Sequence, residues 1–235
     1  MRKTRLSGPI FAVTILATFF ISGCASTKTP IFLHPEYANY SVESIYLLPV
    51  VDRRIDKTGV IDLEKEIREP IKKSLEKKGY EVFLPAKFSD INDIKVEYVS
   101  QMDIKDASDL GPLNAKNILL VYVDDVLDSY AIVAYQCKIE ATGSLIEKSD
   151  KIELWRDKGI GSSGQGGLIS GPLAPLIKLE AISNCIGNLF VTLPDSNSKI
   201  AKKQKKTKQT SLNEVRIDKD QPVTTNIGVK NTQPL

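Results

Sequence analysis

The residue of this 235-residue chain with the most definite chemistry is Cys24. It closes Ile21-Ser22-Gly23-Cys24 behind a basic segment with Arg2, Lys3 and Arg5 and an apolar run from Pro9 to Ile21. Such a run is short for a membrane span and has the flanks of a secretory signal. Ser22 and Gly23 are small enough to let a peptidase reach the backbone, and the thiol can carry a thioether-linked diacylglycerol. This is the pattern of a bacterial lipoprotein signal over residues 1–23 with lipidation at Cys24. The amine freed there can take a further acyl chain such as palmitate. At about 0.8 kcal/mol per buried methylene, multiple chains hold a protein on a membrane.

Other reactive groups are sparse. Gly159-Ile160-Gly161-Ser162-Ser163-Gly164 matches G-x-G-x-x-G, with a strand expected before it and a helix after. The second parallel strand and acidic ribose ligand of a dinucleotide site are missing, because the helix runs into Leu193-Pro194-Asp195. The match therefore reads as a glycine-rich connection. His34 is the single histidine and sits in a segment expected to be a spacer, which argues against a triad or an imidazole metal site. Asp124, Asp125 and Asp128 lack the glycine and spaced oxygen ligands of a calcium loop and read as a solvated strand end. No cofactor, metal or catalytic residue is expected. Cys137 and Cys185 remain; an oxidising compartment favours a disulfide between them, and the alternative is two buried thiols.

Charge divides the chain. Residues 24–194 hold 20 Lys+Arg against 25 Asp+Glu, whereas residues 195–235 hold 9 against 4. The positive charge sits in a polar segment without aromatic residues to stack bases, so nucleic acid is excluded as a partner. Residues 194–235 are expected to be a disordered basic tail, and residues 24–40 a lipid-anchored tether. The lysines at 202, 203, 205, 206 and 208 give the tail a route to anionic lipid or to peptidoglycan.

Residues 41–193 alternate strand and helix patterns. Ser44–Val51 is an apolar run suited to a buried strand. Ile61–Lys78 carries Ile61, Leu63, Ile67, Ile71 and Leu75 on one helical face and ends at Gly79, with Pro70 bending it or starting a second helix. Tyr80–Leu84 follows as a strand, Asp106–Leu113 as a short helix and Asn117–Asp124 as a buried strand. Tyr130–Ile146 and Lys151–Ile160 form a long hairpin, a loop spans Gly161–Gly167, and a final helix covers Leu173–Val191. The order predicts one α/β (α+β) domain, a mixed sheet packed with helices.

The lipobox, the strand Ile45-Tyr46-Leu47-Leu48-Pro49-Val50-Val51-Asp52-Arg53, and Pro70 before Gly79-Tyr80-Glu81-Val82-Phe83 carry a resemblance. So do the strand Ile118–Val123, Leu154-Trp155, the glycine-rich stretch and the apolar last helix. Over about residues 41–193 the chain resembles bacterial lipoproteins whose periplasmic domain is similar to the N-terminal domain of TolB and to the curli secretion lipoprotein CsgG. Asn114-Ala115-Lys116-Asn117 departs from the Gly-Ala-Asp turn of that family, and the basic tail is a further departure. The resemblance implies a non-enzymatic envelope component. Ala25 stands where Asp marks inner-membrane retention, which implies the periplasmic face of the outer membrane.

The last helix is too apolar for one narrow stripe, so one side is expected on the sheet and the other against a partner or under loops. Leu173, Leu176, Ile177, Ile182, Ile186 and Phe190 are the candidate interaction surface. The expected partners are the membrane through the N-terminal lipid and a homo-oligomer or other envelope protein. Peptidoglycan binding, or activation of its synthesis, is the alternative.

Overall fold

The computed structural model describes residues 28–57, 61–90, 94–131, 134–166, 170–197 and 199–200. Cys24 and residues 201–235 lie outside them, so the expected lipidation site and most of the expected basic tail are not described.

A seven-stranded mixed sheet forms the centre. Its strands are β1 (Phe32–Leu33), β2 (Ser44–Leu47), β3 (Val51–Asp52), β4 (Glu81–Phe83), β5 (Asn117–Ala131), β6 (Ala134–Glu147) and β7 (Ile152–Gly166). The spatial order is β1-β7-β6-β5-β2-β4, with β3 also beside β5. β2 and β3 both run parallel to β5, whereas β5, β6 and β7 form an antiparallel meander and β1 adds to the outer edge of β7. The expected strand Ser44–Val51 is split because Pro49 lacks the N–H a continuous ladder needs.

Helices cover both faces. A π-helical turn, Leu63–Arg68, leads into α1 (Glu69–Lys77), where Pro70 occupies the first turn, a position that tolerates proline. The Asp62 side chain caps the turn by accepting from the Lys65 amide. Val96–Val99 (α2) and Ile104–Ser108 (α3) are short, and α4 spans Ser170–Phe190. The second of these starts earlier than the sequence suggests, because Asp103 caps it through the Asp106 amide. α1 and α4 share one core with Ile45, Leu47, Leu119, Val121 and Trp155, while Leu48, Ile118, Leu120 and Ile146 face the α2 and α3 side. Burial on both faces explains why these strands are apolar without alternation.

The two ends of the domain depart from the expected boundaries. The presumed tether is docked from Lys28 onward: β1 pairs with β7, the His34 amide donates to the Leu154 carbonyl, and Tyr37 is buried. The presumed tail is docked through Ile200. The Ser196 amide and hydroxyl bond the carbonyls of Lys78 and Gly79, and Lys199 Nζ reaches the Lys77 carbonyl.

Candidate docking face of the last helix

α4 lies on β6 and β7, and its sheet-facing side is set by close approach. A β-carbon on Gly159 would stand 2.3 Å from the Cys185 carbonyl oxygen, closer than packing allows. Gly159 and Gly161 are therefore the floor on which the helix rests. The G-x-G-x-x-G match lies inside β7, which continues to Gly166, and the expected loop from Gly161 is strand up to that point. Asn184 and Asn188, one helical turn apart, donate to the carbonyls of Ser162 and Ile160, and Ser163 Oγ donates to Glu180. Side chains of the helix thus cover carbonyls along the outer edge of β7, which would otherwise offer a template for strand addition.

Of the six candidate residues on α4, Ile177, Ile182, Ile186 and Phe190 are buried in the core. The chain itself satisfies them, and Phe190 stacks on Trp155 with ring centroids 5.7 Å apart. Leu173 is half-buried. Leu176 is 63% exposed, and Leu179, which composition alone did not single out, is 49% exposed. Among the described residues these two are the large hydrophobic side chains that α4 leaves to solvent.

Leu179 also rims an open groove of about 660 Å³ between α1 and α4, lined by Ile182, Ile186, Lys73, Lys77 and Glu66. The base of the groove is apolar and its rim carries charges of both signs. Lys178 of α4 pairs with Glu66 of the π-helical turn at 3.6 Å. Among the described residues no group of three His, Cys, Asp or Glu side chains could hold a metal. Among them, too, no helix is long and apolar enough to cross a membrane.

The other candidate groups are dispersed. Asp124 accepts from Arg53 and from Thr142, and Asp128 accepts from Tyr135 at 2.8 Å. They lie within β5 and not at its end, where the strand has run past its pairing with β3 at Val123. His34 is folded onto the domain, its Nδ1 accepting the Glu36 amide and its ring edge-on to Tyr40. Cys137 and Cys185 are free, buried thiols. Cys185 Sγ donates to the Gly159 carbonyl at 3.4 Å. Burial pushes both thiols up to about 12.

No family model and no curated protein matches the chain. Solved structures similar to it include lipoprotein GNA1162 from Neisseria meningitidis, 19% identical over 57% of this chain and 92% of that one, with a TM-score of 0.40. A PelC dodecamer from Paraburkholderia phytofirmans is 12% identical over 71% of this chain and 96% of that one, also at 0.40. The LpoB C-terminal domain from Salmonella enterica is 14% identical over 52% and 84%, at 0.27. Likeness this distant transfers no function.

Proposed function

We propose that this chain is a lipid-anchored component of the bacterial envelope that works by holding other proteins, not by catalysis. The observation that carries the protein-binding part is the pair Leu176 and Leu179, two large hydrophobic side chains on the solvent side of α4 beside the α1–α4 groove. The anchor is Cys24, and Ala25 after it favours the periplasmic face of the outer membrane. The resemblance to TolB N-terminal-like and CsgG-like domains supports the same reading. The partner is a second copy or another envelope protein.

Photoreactive residues at positions 176 and 179 of the full-length lipoprotein, irradiated in cells, test this. Adducts to itself or to one defined envelope protein are expected. A monomeric protein with no adduct from either position overturns the reading.

The excess of 9 Lys+Arg over 4 Asp+Glu in residues 195–235 favours a second reading, peptidoglycan binding or activation of its synthesis. Truncation after Ile200, which keeps the docked Asp195–Ile200 segment, separates the two. Loss of co-sedimentation with cell wall is expected of the second reading alone.

A further inference from the structure

Lys28 is held by three oxygens. Its Nζ lies 2.8 Å from Oδ2 of Asp157 and donates to the carbonyls of Lys158 at 2.7 Å and Asn188 at 2.8 Å. Asp157 is 1% exposed, and its Oδ2 also accepts the Thr192 hydroxyl, which in turn accepts from the Trp155 indole at 3.1 Å. Asn188 belongs to the last turn of α4, where unpaired carbonyls favour a cation. A buried carboxylate, a helix end and a strand-edge carbonyl thus make an ammonium socket, and the chain's own Lys28 fills it. Beyond it the chain stays docked through β1 to Tyr37, whose hydroxyl meets that of Tyr80 at 3.2 Å.

Cys24 is four residues upstream of this socket. Whatever their path, four peptide units reach at most about 13–14 Å. The polar zone of one leaflet takes roughly 5–8 Å of that, leaving less than the ~10–12 Å diameter of a helix between lipid and protein. Were the segment free as far as Tyr37, the reach would be about 45 Å. The height of the domain is therefore set by the clamp and not by the number of residues before the first core strand.

We propose that the domain rests on lipid headgroups through the face around the Lys28–Asp157 socket. This builds on the lipoprotein reading of Cys24. Two exposed apolar side chains adjoin the socket in sequence, Ile31 at 62% and Val191 at 58%, and these enter the interfacial layer. α4 runs away from the membrane in this pose, which leaves Leu176 and Leu179 on its far half open to a protein partner.

The test uses the full-length protein in its own membrane. Cells are fed an alkyne fatty acid, and diazirine residues are placed at Ile31 and Val191, with Tyr130 at the tip of the β5–β6 hairpin and Tyr98 on α2 as comparison positions. The expected result is a label on Cys24 with phospholipid adducts at 31 and 191 but not at 98 or 130. Lys28→Ala abolishes those adducts while the label remains. Inserting about ten Gly/Ser residues after Ala25 leaves the folded domain untouched, adds roughly 18 Å of root-mean-square reach, and also abolishes them. A labelled Cys24 without lipid adducts at 31 and 191 overturns the clamp alone. An unlabelled Cys24 overturns the lipoprotein reading and the clamp with it.

Discussion

Gly161 of β7 lies directly beneath Ala181 of α4: a β-carbon built on it would stand 2.0 Å from the Ala181 carbonyl oxygen and 2.2 Å from the Cys185 amide nitrogen. Both obstacles are helix backbone, which cannot rotate aside as a side chain can. A single methyl group here must lift the helix that carries the proposed docking face.

Gly161→Ala is expected to lower the unfolding free energy by about 3 kcal/mol, the upper part of the range for overpacking a filled core. Gly187 makes the contrast, since a β-carbon there meets nothing within 4 Å on the exposed side of α4. Gly187→Ala should stabilise by up to ~1 kcal/mol through helix propensity. Urea unfolding midpoints of the two variants must move in opposite directions; movement the same way would place α4 elsewhere.

The same pair shows what the sequence could and could not convey. Leu119 and Val121 read as buried strand because both faces of β5 are covered, and Ile67, Ile71 and Leu75 read as a helix face because their spacing is local. Gly159, Gly161 and Gly164 carry the composition of a loop, yet two of them are small because a helix some twenty residues later rests on them. Lys28 and Asp157 are 129 positions apart, and nothing near either one announces the other. On α4 the apolar content was legible, but which side the sheet would cover was not, so most of the candidate surface proved to be core.

Arg68 was silent in the sequence and is structurally demanding. Although 3% exposed, it donates Nη2 to the carbonyls of Leu47 and Pro85 and Nη1 to both oxygens of Glu64. Arg68→Met keeps the aliphatic bulk but orphans these carbonyls, at roughly 2–4 kcal/mol. Glu64 is 59% exposed at its side chain, so Glu64→Gln should cost under about 1 kcal/mol. Thermal denaturation of the two variants checks the ranking; equal losses would mean that the ion pair, not the carbonyls, is what matters.

Tyr80 joins the two ends of the domain, its hydroxyl meeting that of Tyr37 and donating to the Pro194 carbonyl. Tyr80→Phe should cost about 1–3 kcal/mol and raise amide exchange in both residues 34–40 and 194–200. Burial holds the Tyr80 phenol well above its usual range, so its contribution is complete below the unfolded value near 10 and fades as pH rises beyond it. The variant must therefore show a shallower alkaline loss of stability than the parent, and parallel alkaline curves would contradict this.

Cys137 and Cys185 give a second alkaline signature at lower pH. Burial raises both thiols from their ordinary range to about 12, so the folded state keeps protons that the unfolded state releases. Their contribution is intact below the unfolded thiol range of about 8.5 and declines as pH climbs from there toward 12. At pH 8 neither thiol should react with Ellman's reagent until the protein is unfolded, and both should then react without a reducing agent. A disulfide would leave the unfolded chain unreactive at these two positions. An exposed thiolate would instead react in the native protein within the mixing time, because reactivity follows the accessible thiolate fraction.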